Sequence, residues 1–326
     1  MLRFFLAVGS TFALLAACSG STDAEFPNGD AQHLVPGDAG TDATGSVPPN
    51  ERRDGGPDGA TGEDGGSVEP DSPFDTFYES VEAGGKTQNY LVVIPKERGQ
   101  GPLPVVFAYH GDGGSGEGAR SSFQVETTLG EPVIVVYPSC PANPAWNLYG
   151  REGNEYLAGF DAILEAVLSA HGGDRARVSV IGHSAGAFFA STLGCYRSAK
   201  LRSVGIMAGG APIKQDGDAT WNGNILKCPG QEPVAVFVAH DQGDPVVTYP
   251  SGKWASEYWM YANRCPSGTC NADPESRSPT LGGACMNMDP APPEFPVVIC
   301  TTQGNGHGIW GAFVSTFWQF DGALDD

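Results

Sequence analysis

The sequence predicts an α/β fold with a mostly parallel central sheet and helices on both faces. Three observations predict it. Short runs rich in Val and Ile recur between residues 90 and 302, and most are apolar on both faces, as strands buried inside a parallel sheet are. Stretches with helical spacing separate these runs, and strand–helix alternation builds such layered folds. The pattern begins only near Phe74, which bounds the folded domain at residues 74–326 of the 326-residue chain.

The residues before that domain fall into two parts. Arg3 precedes "FFLAVGSTFALLAA", which runs into Cys18. A charged start, a short apolar core and small residues at the end read as an export signal over residues 1–17. A membrane span needs about 20 apolar residues, so this run is too short for one. "LAAC" resembles the bacterial lipobox, which implies cleavage before Cys18, a lipid on its sulfur and a membrane anchor in the cell envelope. A plain secretion signal cut near the same place is the alternative. Residues 18–73 are rich in Gly, Asp, Pro and Ser and nearly lack large apolar side chains. Such a segment buries too little surface to offset its ordering entropy and is expected to be a disordered tether. Its twelve acids against Arg52 and Arg53 leave ten negative charges, half of the formal −20. That acidity reads as solvation and argues against nucleic acid as a partner.

Within the domain the expected strands are "YLVVIP" (90–95), "PVVFAYHG" (104–111), "PVIVVYP" (132–138), "RVSVIGHS" (177–184), "SVGIMAGG" (203–210), "PVAVFVAH" (233–240) and "PVVICTT" (296–302). The helix expected over 154–173 has Leu157, Phe160, Ile163, Leu164, Val167 and Leu168 on one stripe and a Gly stop. Further helices are expected over 185–198, 251–263 and 309–320. The Pro-, Gly- and Ser-rich stretch 264–295 carries three cysteines and reads as a loop pinned by disulfides.

One turn stands out. In "VIGHSAGAFFAST" (180–192) an apolar strand ends in Gly-His-Ser-Ala-Gly and a helical stretch follows at once. Ligands of such folds sit beyond the carboxyl ends of the strands, where Ser184 is placed. Gly182 and Gly186 flank it, as a sharp strand-to-helix turn carrying a nucleophile requires. A serine hydroxyl needs a base. His307, in "QGNGHGIW" after the last strand, sits in a Gly-rich loop that can carry it over the sheet edge. His183 lies beside Ser184 with its side chain expected to point away. The base needs an orienting carboxylate. "VFVAHDQGDPVV" offers two just past a strand. Asp244 lies beyond a Gly turn and can reach back; Asp241 is its rival, and the other of the two caps the turn. Preorganised N–H donors for an oxyanion are expected from the Gly-rich "YHGDGGSG" (109–116), at Asp112 or its neighbour, and from Ala185. No Lys-Ser/Thr pair follows "GDGGSG", so it is not a phosphate-cradling P-loop.

The order Ser184, Asp244, His307 is that of α/β-hydrolases. The stretches "HGDGG" (110–114), "DRARVSVIGHSAGA" (174–187), "HDQGDPVV" (240–247) and "GHGIW" (306–310), taken together and in order, resemble the secreted polyhydroxybutyrate depolymerase/feruloyl esterase group of carboxylesterases. The resemblance covers roughly residues 75–320. It implies an α/β-hydrolase fold and hydrolysis of carboxylic esters through Ser184, His307 and Asp244 with an acyl-enzyme and no cofactor. The substrate it implies is a polyester or a feruloylated or acetylated polysaccharide, and the chain is expected to act as a monomer. The family's acid-bearing stretch reads His-Gly-x-x-Asp-x-x-Val, which selects Asp244 and leaves Asp241 where Gly is usual. The family's Gly-His-x-Trp-Pro-Gly is altered here: Trp310 comes one place later and no Pro follows. A peptidase or lactone hydrolase on the same fold is the first alternative, since fold does not fix substrate. A non-catalytic surface binding lipoprotein is the second. Trp146, Trp221 and Trp254 are candidates for a substrate groove or for packing.

Seven cysteines follow Cys18, and an exported chain with so many reads as disulfide-bonded. No C-x-x-C pair or His/Cys cluster suggests a metal. Cys195, near the end of the helix after Ser184, and Cys228, before strand 233–240, are expected to meet on one side of the sheet. Nested pairs, Cys265 with Cys300 and Cys270 with Cys285, are expected to pin the loop leading to His307. Cys140 is left outside these pairs.

Overall fold

A computed structural model describes residues 72–140, 146–149, 154–221, 225–264, 277–280, 284–288, 292 and 294–325. The expected export signal, nearly all of the expected tether, and Cys18, Cys265 and Cys270 lie outside these residues.

The Val- and Ile-rich runs form the inner strands of one sheet. Its members are β1 (Phe74–Ala83), β2 (Lys86–Pro95), β3 (Leu103–Tyr109), β4 (Ile134–Ser139), β5 (Gly173–His183), β6 (Ser203–Met207), β9 (Ala235–Asp241), β10 (Arg277–Thr280), β11 (Cys285–Met288) and β12 (Val297–Thr302). Two short strands, β7 (Thr220–Trp221) and β8 (Ile225–Leu226), pair separately. The order across the main sheet is β1-β2-β4-β3-β5-β6-β9-β12-β11-β10. The stretch from β4 to β12 is parallel, and an antiparallel pair closes each edge. Helices α1 (Gly116–Phe123), α2 (Val125–Thr128), α3 (Glu155–His171), α4 (Ala185–Arg197), α5 (Tyr249–Arg264) and α6 (Phe313–Gly322) cover the sheet.

Alternation along the strands sorts the two faces. Val106, Ala108, Val135 and Phe237 share a core cluster with Phe123 of α1, Val125 of α2 and Phe313, Phe317 and Phe320 of α6. On the other face Phe107 meets Phe160 of α3 at 5.0 Å and Tyr109 meets Phe189 of α4 at 5.1 Å. Trp259 of α5 packs against Gly194 of α4 and donates its ring N–H to Ser191 Oγ at 3.1 Å. Burying each such aromatic contributes about 1.5–3 kcal/mol. Asn154 starts α3 by accepting from the Tyr156 and Leu157 N–H groups at 2.9 and 3.2 Å, and Gly172 at φ 73° ends it.

Several expectations change. β1 pairs with β2 through a two-residue turn, Gly84 and Gly85, both at positive φ. The stretch 264–295 contains β10 and β11, which extend the sheet edge, so it is not simply a loop. The register places Cys285 directly across from Cys300, and the two form a disulfide. This corrects the nested pairs, because neither Cys285 nor Cys300 takes the partner those pairs assign. The reason is local: a strand, once formed, brings its own cross-strand neighbour to bonding distance. Cys195 and Cys228 are bridged as expected. Cys140 takes part in neither bridge and sets its sulfur 2.8 Å from the Tyr156 hydroxyl.

Candidate active site

β5 ends at His183 and α4 begins at Ala185, so one residue makes the whole turn. That residue is Ser184, at φ 54° and ψ −123°. Such a backbone costs on the order of 1–3 kcal/mol in a residue with a side chain and persists only when its surroundings fix it. They do. The Ser184 N–H donates to the Met207 carbonyl at 3.0 Å, and its own carbonyl accepts from Ala187 at 2.9 Å and Phe188 at 3.1 Å. A Cβ on Gly182 would fall onto the Gly186 carbonyl, and one on Gly186 would fall onto the Tyr109 and His110 carbonyls. Only glycine lets strand and helix close this tightly.

His307 comes from the loop after β12, and its Nε2 lies 2.9 Å from Ser184 Oγ. Asp244 comes from the loop after β9, and its Oδ2 lies 2.8 Å from His307 Nδ1. A carboxylate oxygen only accepts, so Nδ1 carries the proton and Nε2 offers its lone pair to the Ser184 hydroxyl. Asp244 is buried, and its Oδ1 accepts from the Val246 and Val247 N–H groups at 2.8 and 3.0 Å. The three side chains named from the sequence therefore form one hydrogen-bonded chain. It can pass a proton from the serine hydroxyl to the imidazole while the carboxylate stabilises the cation that results.

Asp241 does something else. It is the last residue of β9, level with Thr302 on β12. Its Oδ2 accepts from the Asn305 N–H at 2.8 Å and the Thr302 hydroxyl at 3.1 Å, and its Oδ1 from the Gly243 N–H at 2.8 Å. Burial pushes its carboxyl up, but these bonds and one from the Gly306 N–H outweigh burial and hold it below the usual carboxylate range. It ties down the loop that carries His307.

Two further histidines surround the site. His183 turns its Nε2 to the His307 carbonyl at 2.7 Å, so its side chain does not point away into other structure. His240 is buried, donates from Nε2 to the Val247 carbonyl at 2.7 Å, and lies 3.5 Å from Asp244 Oδ2. Burial lowers the pKa of both rings more than the carbonyls beside them raise it. The strand pattern marks neither as part of the site. Only the path of the loops between strands brings them in.

Gly111 of the Gly-rich loop meets the nucleophile turn directly: a Cβ there would sit 3.3 Å from Ser184 Cβ. Asp112 follows it in a turn closed by the Gly114 N–H to the Gly111 carbonyl at 3.2 Å, with Gly113 at φ 71°. Ala185 is the first residue of α4, where backbone N–H groups have no partner within the helix and the helix end is positive. Trp146 and Trp221 are buried at 4% exposure each, so neither opens onto a groove. Trp146 packs on Tyr109, His110 and Phe189 and donates its ring N–H to the His110 carbonyl at 2.8 Å, supporting the Gly-rich loop from below. Trp254 is half-buried on α5. Among the described residues no group of three or more His, Cys, Asp or Glu side chains is arranged to hold a metal ion.

No protein-family model matches the chain. It is 25% identical over 185 residues to a probable feruloyl esterase C of Aspergillus niger and 27% identical over 187 residues to one of Aspergillus terreus. Each alignment covers 55% of this chain and 63% of the relative, so the chain spans less than two thirds of the length of these relatives. Among solved structures it is similar to an acetyl xylan esterase from Aspergillus awamori, with a TM-score of 0.59 and 15% identity over 76% of this chain and 99% of that one. That likeness carries the fold, which is the α/β-hydrolase fold.

Proposed function

We propose that this chain, feruloyl esterase-like in sequence and α/β-hydrolase in fold, is an exported serine carboxylesterase. The observation that carries the reading is the chain of hydrogen bonds from Ser184 through His307 to Asp244, with Ser184 on a turn at positive φ. Ser184 Oγ attacks the ester carbonyl carbon as His307 Nε2 takes its proton. The carbon–oxygen bond to the alcohol breaks, and His307 gives the proton to the departing oxygen. Water then attacks the acyl-serine. His307 takes a proton from it and returns one to Ser184 as the carboxylic acid leaves. Asp244 holds the tautomer throughout. The N–H groups of Ala185 and Asp112 are the candidate donors to the oxyanion, each worth about 10²–10³ in rate by analogy with other acyl-transfer sites. No step calls for a cofactor.

The substrate class follows the relatives: an ester of a hydroxycinnamic or acetic acid on a polysaccharide, with a hydroxyalkanoate polyester as the competing choice. Export is supported by two disulfides and by the leader-like first seventeen residues, with Cys18 as the lipidation site. The domain proper is residues 74–326.

Turnover of p-nitrophenyl acetate by the full chain tests the chemistry. Loss of turnover in Ser184→Ala, with the fold intact, is the expected result. Undiminished turnover in that variant rejects the reading. Methyl ferulate, acetylated xylan and poly(3-hydroxybutyrate) then rank the substrate classes.

A further inference from the structure

His183 is adjacent to the nucleophile in sequence but does not belong to the chain of proton transfer. Its ring lies where three backbone segments of the site meet. Nε2 is 2.7 Å from the His307 carbonyl, and because a carbonyl only accepts, Nε2 carries the proton. The ring centroids of His183 and His307 are 5.0 Å apart at 45°. On its other side, a Cβ on Gly111 would sit 3.3 Å from His183 Nδ1. The ring is thus wedged between the loop bearing the base and the Gly-rich loop bearing Asp112.

The base loop needs such a wedge. Gly304 and Gly306 adopt φ of 80° and 56°, and Gln303, Gly304 and Gly308 are exposed. Little side-chain burial fixes residues 303–308, so hydrogen bonds must. Asp241 holds the loop at Asn305 and Gly306, before the base. Asp244 holds the imidazole itself. Asn305 and Gly308 close the loop within itself, through the Gly308 N–H to the Asn305 carbonyl at 3.1 Å and the Asn305 amide to the Gly308 carbonyl. The bond from His183 holds the carbonyl of residue 307 itself and ties it to the turn holding Ser184.

We propose that His183 is a positioning residue, which sets the His307 imidazole against Ser184 by holding the His307 carbonyl. The proposal rests on the reading of Ser184 and His307 as nucleophile and base. A displacement of about 1 Å in a catalytic group can cost on the order of 10²-fold in rate.

The test compares His183→Phe, which keeps a flat ring but no donor, with His183→Gln, whose amide N–H can reach the same carbonyl. Wild type and both variants are assayed on p-nitrophenyl acetate well below their melting temperatures. The proton NMR signal of the His307 Nδ1–H facing Asp244 is recorded at low pH. His183→Phe is expected to lose about 10–100-fold in kcat with KM nearly unchanged, and its Nδ1–H signal to broaden or vanish. His183→Gln is expected to recover most of both. If His183→Phe does not fold, His183→Asn, whose shorter amide cannot span the gap, takes its place. Wild-type kcat and an intact signal in the donor-less variant overturn the proposal. So does a His183→Gln variant no better than His183→Phe. Should wild type hydrolyse no ester, the esterase reading fails on its own, while the NMR signal still decides whether His183 positions His307.

Discussion

Replacing Asp244 by asparagine separates geometry from chemistry. Asp244 Oδ1 accepts two backbone N–H groups, from Val246 and Val247. In Asp244→Asn the amide oxygen must take that place, because nothing else there can accept. The amide NH₂ then faces His307 Nδ1, where Oδ2 stood at 2.8 Å. A donor opposite Nδ1 forces that nitrogen to accept and moves the proton to Nε2. Nε2 then points an N–H at Ser184 Oγ, 2.9 Å away, and has no lone pair for the serine proton. The loop keeps its shape, so stability changes by only about 1 kcal/mol, the difference between charged and neutral acceptors. The rate falls by about 10⁴, or roughly 5 kcal/mol of barrier, the size of this tautomer effect in other serine hydrolases. Stopped and continuous assays on p-nitrophenyl acetate, paired with thermal melts, read both quantities. Activity within tenfold of wild type in Asp244→Asn, with Asp241→Asn crippled instead, would refute the assignment of the orienting acid.

Asp241→Asn should behave in the opposite sense. It leaves at least one of the N–H donors from Gly243, Asn305 and Gly306 poorly satisfied, costs about 1–3 kcal/mol in a denaturant titration, and lowers kcat less than Asp244→Asn does. Gly186→Ala drives a methyl into the Tyr109 and His110 carbonyls, so soluble folded protein should be lost on expression, as circular dichroism of the variant will show. Reduction of the two disulfides should destabilise the protein; in the chain-entropy model the 15-residue and 33-residue links are worth about 3 and about 4 kcal/mol, and melts with and without reductant measure the sum. Burial holds His110, His183 and His240 below the usual histidine range in the folded state. The unfolded chain therefore binds more protons once pH drops toward about 6.5, and stability, full above that value, must decline as pH falls further. An unfolding midpoint in urea that is equal or higher near pH 5.5 than near pH 7.5 would contradict this.

The inner strands were legible because burial on both faces leaves a run such as "PVVFAYHG" no polar position. Ser184 was legible because its turn admits only glycine two residues to either side. The edge strands were not. β1 is half-exposed and mixes polar with apolar residues, and β11 reads "CMNM", with no β-branched residue at all. Missing β11 led to the wrong partners for Cys285 and Cys300. Residue type alone left Asp241 and Asp244 open, since both follow one strand and both suit a turn. The register decides between them geometrically: β9 runs through Asp241 itself, level with Thr302, and sets its carboxylate against residues 305 and 306. Three residues later the chain has turned back and Asp244 meets the imidazole. The contact of His183 with the His307 loop is not legible, because strand alternation says only that its side chain leaves the face of Ser184, not which loop awaits it. The sequence leaves Trp146 open between a groove and packing because nothing local distinguishes a tryptophan under a loop from one beside a substrate.

The long sequence spans that close the domain and the candidate site bear on when the site can assemble during synthesis. Asp321 accepts from Ser179 Oγ at 2.8 Å across 142 positions of chain, and Arg202 grips its carboxylate and carbonyl as well. Phe313, Phe317 and Phe320 on the same helix complete the core over Phe237. His307 reaches back 123 positions to Ser184. Contacts of that span form late and slowly, because the loop-closure entropy comes first. A ribosome must therefore release nearly the whole domain before serine and base can meet. A nascent or truncated chain that ends before residue 307 holds Ser184 without its partner, so under the proposed esterase reading no turnover can begin until His307 has joined it. In a stalled-translation series in which each chain length carries a C-terminal linker that spans the exit tunnel, ester turnover should be absent from every chain ending before residue 307 and should not rise in increments as each strand joins the sheet.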